Sequence, residues 1–324
     1  MTVTMANEKS NPSVRVLVGT WRDGLHVVSG EARHQELAGQ SVRSLASDGR
    51  GGAIAIVGGH SLCRRTVDGE WRTVISGDFD LACAVAVGDD IYVGTDDARM
   101  FRVDPEGKTG QLSGFDSVEG RQSWFAGSAV IDGRVVGPPL GIRSIAATCD
   151  GRTLLANVHV GGIPRSIDGG VTWRPTIDIE SDVHEVRAHP TRPDIVIAAA
   201  AIGLYISRDA GESWSVEREG LHTTYCSAVA FSGNDMLVSA STDHFADEGA
   251  VYRRSIDGNG PLVSLGAGFP IRIGGIADTG CIASRASIIA VADKSGHLYV
   301  SVDAGTAWSL FADGLPAPSS LLIV

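Results

Sequence analysis

Two stretches of this chain read almost alike: Ser166-Ile167-Asp168-Gly169-Gly170-Val171-Thr172-Trp173 and Ser207-Arg208-Asp209-Ala210-Gly211-Glu212-Ser213-Trp214. Both follow the order Ser, any, Asp, any, Gly, any, Ser or Thr, Trp. Recurrence of such restricted positions about 40 residues apart marks propeller blades or another repeat array. The eight residues read as a stapled hairpin turn. The short carboxylate accepts hydrogen bonds from backbone N–H groups of its own turn, Gly reaches backbone angles that other residues resist, and Trp closes the unit with a large apolar surface. Asp168 and Asp209 are therefore structural rather than catalytic.

A third, degraded copy is Ser301-Val302-Asp303-Ala304-Gly305-Thr306-Ala307-Trp308, and two eroded ones are Thr66-Val67-Asp68-Gly69-Glu70-Trp71 and Ser255-Ile256-Asp257-Gly258. These residues resemble the Asp-box repeats of bacterial neuraminidase-type β-propellers. The resemblance implies a sialidase-like fold in which the turn joins the third and fourth strands of a blade, away from the ligand face, so Asp303 is structural too. True sialidases resemble one another in an arginine triad, a Tyr nucleophile with a Glu partner, and an Arg-Ile-Pro motif. Arg43, Arg143 and Arg272 can imitate the triad and Tyr225 can stand near the mouth. No Arg-Ile-Pro precedes the boxes and no Glu adjoins Tyr225, so sialidase activity is not expected. Asp-box propellers also include receptors and assembly factors, and the fold leaves function open.

Composition agrees with an all-β array. The 324 residues hold 41 Gly and only 6% aromatics, with many short apolar runs. A net charge of −11 argues against nucleic acid as partner, since duplex binding needs a basic footprint. Residues 1–13 read as a polar flexible tail without the apolar core of a secretory signal. No run approaches the ~20 apolar residues of a membrane span, which predicts a soluble, cytoplasmic protein. The five cysteines have no close pair or metal-knuckle spacing and read as reduced, partly buried thiols.

Apolar runs bounded by turns give the strands. Inner strands are expected at residues 42–46, 82–87, 142–146, 183–188, 227–231 and 273–277. Second strands follow at 53–57, 91–94, 154–160, 195–200, 236–239 and 288–292, and third strands at 62–66, 100–103, 163–167, 203–207, 251–256 and 297–302. Residues 14–19 and 24–28 read as second and third strands with no first strand before them, while 319–324 is a lone strand. If that lone strand supplies the missing one, the C-terminal strand joins the N-terminal blade and no sheet edge stays open. The expectation is one domain, residues 14–324: a seven-bladed β-propeller with four-stranded antiparallel blades. Residues 114–141 interrupt the repeat. Loops this long are usually functional or disordered, and Arg121 with Trp124 suggests a lid that gives a ligand a donor and a stacking surface, whereas Trp124 plugging a gap between blades is the competing reading.

In this topology the inter-blade loops and those joining second to third strands share one face. Five of the nine histidines map there: His60, His159, His184, His222 and His244. His159 ends a second strand and His184 opens the next inner strand, which makes them neighbours at the channel mouth. Arg43, Arg143 and His184 share one register of their inner strands and are expected to point into or around the channel. This convergence suits a small polar or anionic ligand, with His159, His184 and Tyr225 as catalytic groups and Arg43, His60, Arg121, Trp124, Arg143, Asn157, His222, His244 and Arg272 as ligand contacts. It also suits a divalent transition metal on His159, His184 and His244, although no HxH or HExxH spacing appears. Arg43 and Arg143 could equally pair with Asp residues across the channel. The expected function is ligand binding with hydrolase or lyase chemistry. The alternative is a protein-interaction scaffold presenting an exposed aromatic patch at Phe115, Trp124 and Phe125.

Overall fold

Residues 14–127, 129–131, 133–136 and 139–324 are described by a computed structural model, and the expected tail, residues 1–13, lies outside the described residues. Strands apolar on both faces need cover on both sides. Ala53–Val57 and Val196–Ala200 are buried at every position, and neighbouring blades supply the cover. Seven core clusters result, such as Ile54, Ile91 and Val93 between the second and third blades, and Leu155, Val183 and Val196 between the fourth and fifth. Seven four-stranded antiparallel sheets stand in a ring, the sixth carrying one extra two-residue strand. This is a seven-bladed β-propeller. Helix is confined among the described residues to single turns such as Ser113–Asp116, and no helix is long and apolar enough to cross a membrane.

The innermost strands are Pro318–Ile323, Val42–Ser47, Leu81–Val87, Gly141–Ala147, Val183–Ala188, Tyr225–Ser232 and Ile282–Arg285, for blades one to seven. The C-terminal strand pairs antiparallel with Val16–Thr20, matching Val16 to Ile323 and Val18 to Leu321, and so closes the ring as expected. One expected strand is corrected. The inner strand of the seventh blade is Ile282–Arg285, and Ile273–Gly274 instead pairs with Glu248 and Gly249 of the sixth. The run 273–277 is apolar because Ile273, Ile276 and Ala277 are buried, but Gly275, at φ 77°, turns the chain out of an extended path.

Six of the seven inner strands shift register at the same level. Such bulges leave a residue outside the ladder and re-aim its side chain. Arg143 falls between the paired residues Ile142 and Ser144, and His184 between Val183 and Glu185. The next residue bonds across to a following blade. Ser44 accepts from Ala84 N at 2.9 Å, Ser144 from Val186 N at 2.9 Å, and Glu185 from Val229 N at 2.9 Å.

The repeated turns lie between third and fourth strands. Asp168 accepts from Ser166 Oγ at 2.8 Å, Thr172 N at 2.9 Å and Thr172 Oγ1 at 2.6 Å, while Gly170 N donates to Ser166 Oγ at 2.9 Å. Asp209 repeats the pattern. Asp303 accepts from Ser301 Oγ at 2.8 Å and Ala307 N at 2.9 Å, and Ala307 has no hydroxyl to add. Asp257 instead turns outward to Arg192 and Asn234.

Candidate functional site

The loops joining second to third strands gather at one end of the channel, where Trp21, Asp96, His244 and Lys294 line a cavity of about 400 Å³ with Arg43 and Arg143 of the inner strands. Both arginines are engaged by aspartates. Arg43 Nη2 donates to Leu81 O at 2.6 Å and Asp96 Oδ2 at 3.2 Å, and Arg143 Nη2 donates to Thr279 Oγ1 at 3.2 Å and lies 3.4 Å from Asp278 Oδ1. Glu185 is wholly buried in the channel wall, where it accepts from Val229 N, Gly280 N and Arg187; burial pushes its carboxyl up despite these partners.

His159 and His184 do meet, with ring centroids 5.4 Å apart, where the fourth blade adjoins the fifth. They line the channel less than expected. His184 turns into the wall, its ring 4.6 Å from that of Tyr225 and its Nδ1 donating to Cys226 O at 2.6 Å. That bond fixes the proton on Nδ1 and leaves Nε2 as the lone-pair nitrogen of the neutral ring. Between the two rings stands Asp182, with Oδ1 3.0 Å from His159 Nε2 and Oδ2 3.6 Å from His184 Nε2. One donor atom from each of the three residues lies within 4.8 Å of the others. His159 is 5% and His184 1% exposed, while the Asp182 side chain is 34% exposed, so the cluster is walled by histidines and opens at the carboxylate. Among the described residues His184 Nε2, His159 Nδ1 and Asp182 Oδ1 have no hydrogen-bond partner.

Local backbone explains the arrangement. Asp182 caps the short turn Ile179–Ser181 at φ 47° and ψ 71°, a left-handed conformation that Asp tolerates better than most residues. It stands two positions before the bulged His184. Burial would raise the Asp182 carboxyl, but the ring nitrogens of His159 and His184 that face it outweigh this and hold the group well below the usual carboxylate range. Burial lowers His159 and His244, and burial raises Tyr225 well above an ordinary phenol.

The expected third histidine ligand is corrected: His244 falls outside the cluster and lines the cavity, its ring against Phe245. Asp182 takes its place. Asn157 is fully buried on the strand that carries His159, and both its amide atoms lack partners. His60 binds Phe79 O at 3.0 Å, His222 binds Tyr252 Oη at 2.6 Å, and exposed Arg272 turns onto its own loop; all three have local partners.

Arg121 and Trp124 are corrected as well. Trp124 is 8% exposed, inside the core with Phe115, Val118, Ile145 and Val158, and the Arg121 guanidinium lies 4.7 Å from its ring. A cation and an aromatic three residues apart satisfy one another here. The aromatic patch expected of a scaffold does not form either, since Phe115 is fully buried and only Phe125 of the three is exposed. The insertion still reaches the site. Phe125 exchanges two backbone hydrogen bonds with Val160, at 3.1 and 2.8 Å, and a Cβ on Gly127 would lie 1.9 Å from His159 Cε1.

No protein-family model and no curated protein sequence matches this chain. Solved structures do. A GH74 xyloglucanase from Xanthomonas campestris matches at TM-score 0.57 and 17% identity over 92% of this chain and 46% of its own, so the chain spans about half of that enzyme's length. YCF48 bound to a D1 peptide matches at TM-score 0.57 and 12% identity over 99% of this chain and 98% of its own. The computationally designed Ika8 protein matches at TM-score 0.56 and 12% identity, covering 96% and 95%. At these identities the likeness carries the propeller fold alone.

Proposed function

We propose that this is an Asp-box propeller that binds a small anionic ligand over a divalent transition metal held by His159, Asp182 and His184 at the channel mouth. One observation carries the reading: two imidazole nitrogens and a carboxylate converge within 4.8 Å, and of the atoms that face one another there His184 Nε2 and Asp182 Oδ1 lack hydrogen-bond partners among the described residues. Buried lone pairs that face one another are costly, and a cation between them relieves the cost. Two His and one carboxylate form a donor set for zinc, iron or a similar ion, and three protein ligands leave coordination positions open. An ion there would act as a Lewis acid, which serves a hydrolase or a lyase. Tyr225 packs beside the cluster, its ring 4.6 Å from that of His184. Metal analysis of untagged protein, followed by titration of the stripped protein with zinc, tests this. About one ion per chain is expected, lost in His184→Ala and in Asp182→Ala. Binding that survives both substitutions, or no binding by folded wild type, refutes it.

A further inference from the structure

We infer that the ligand is a monoanionic carboxylate with a hydroxyl or carbonyl oxygen on the adjacent carbon, bound through both groups to the open metal positions and through the carboxylate to Arg143. This rests on the metal reading above and names the ligand class for the same site. The first support is charge. The ion contributes two positive charges and Arg143 one, while Asp182 and Asp278 contribute two negative, so with neutral histidines the site carries a single positive charge that one carboxylate cancels. The second is donor geometry. Arg143 uses only Nη2 for Asp278 and Thr279, and its Nη1 and Nε have no partner among the described residues. A planar guanidinium with a free edge matches a carboxylate better than a point charge does. The third is position. Arg143 lines the cavity and is the bulged residue of the strand that pairs with the strand of His159, matching Gly141 to His159 and Ile142 to Val158, so it is the cation common to channel and cluster. Thr279 ties it further, accepting from Arg143 and donating to His184 O at 3.1 Å. With three positions taken by His159, Asp182 and His184, a chelating oxygen pair fits the vacant side of the ion, whereas a simple carboxylate leaves one oxygen's place to water.

The test uses the full chain loaded with cobalt(II), whose visible absorption reports changes in coordination. Glycolate, acetate and glycolamide are titrated separately, and inorganic phosphate serves as a competing anion. Glycolate is expected to shift the spectrum and to bind at least roughly tenfold tighter than acetate, with glycolamide weaker still, as charge-assisted contacts on a metal and an arginine require. Arg143→Gln should keep its cobalt spectrum and lose roughly tenfold or more in glycolate affinity. Equal binding of glycolate and acetate, equal binding of glycolamide, or preference for phosphate overturns the ligand class while the metal site stands. Failure to bind cobalt overturns both readings.

Discussion

Replacing Trp124 with Ala separates a lid from a wedge. Its side chain is 8% exposed, and a buried Trp removes roughly 200 Å² from water, which at ~25 cal/mol per Å² comes to about 5 kcal/mol before relaxation. The Arg121 guanidinium over the ring adds ~0.5–1 kcal/mol at a partly exposed site. The surrounding loop can partly collapse into the space, so the expected loss is ~3–5 kcal/mol, the usual range for Trp to Ala in a core. With an unfolding entropy of ~2.1 cal/mol/K per residue, a chain of this size loses about 5–8 °C in melting temperature. Phe115 propagates the damage, because it packs edge-on against Trp173 at 5.1 Å and tilted against Trp124 at 5.7 Å. Urea unfolding and a thermal melt measure the loss, and metal titration of the surviving fold should change little. An unchanged melting temperature with weakened metal or ligand binding would refute the burial argument and restore the lid.

Deleting residues 318–324 removes the inner strand of the first blade and, with Leu321, Leu322 and Ile323, part of two core clusters, so a cooperative melt should vanish; a truncated chain melting like the full one would disprove closure by that strand. Asp168 is held at about 2 by the Thr172 hydroxyl and neighbouring N–H groups. A depressed carboxyl stabilises above its unfolded value of ~3.9 and loses that contribution as pH falls through the folded one. Asp168→Ala should therefore cost ~1 kcal/mol at pH 7, an effect softened by solvent, and should flatten the acid limb between pH ~4 and ~2; an unaltered acid melt would count against the staple. Thiol titration of native protein should find one fast-reacting group, Cys149, because Cys63, Cys83, Cys226 and Cys281 are buried and burial pushes Cys83 and Cys226 up to about 12. Two or more fast thiols would show that the ring opens more readily than its packing implies. Gly127→Ala should disturb the site more than the fold, since the three atoms its Cβ would meet first all belong to the His159 ring; a metal affinity equal to wild type would show that the loop yields instead.

The propeller was legible because its rule repeats. Every blade needs an apolar strand buried on both sides, and the turn that staples it names its own position through Ser, Asp, Gly and Trp. The meeting of His159 with His184 was legible for the same reason, as the end of one strand and the start of the next must adjoin at the mouth. Asp182 was hidden. Its contribution depends on a left-handed backbone angle and a bulge two residues later, and neither leaves a periodic trace. The Asp-x-His spacing in Ser181-Asp182-Val183-His184 is the signal that could have found it. Arg121 and Trp124 were misread because a cation and an aromatic in a long loop look the same whether they await a ligand or hold each other. Only Phe115, packed under both, distinguishes the cases.

The bulged level of the inner strands explains how one ring carries a local site. On the third to fifth blades the bulge leaves Ala82, Arg143 and His184 outside the ladder, while the ladder on either side keeps its pairing. A residue outside the ladder can change chemistry without disturbing the hydrogen bonds that hold the blade. Ser44, Ser144 and Glu185 each tie their strand to a following blade and line the channel cavity, so the bulged level is clamped in the channel wall. Placing Arg143 and His184 on successive blades then sets a cation beside a donor cluster. The insertion reaches this part of the mouth through Phe125 on Val160 and Gly127 on His159. The His159, Asp182 and His184 cluster thus stands at the junction of the fourth and fifth blades on features that the repeat tolerates and does not itself require.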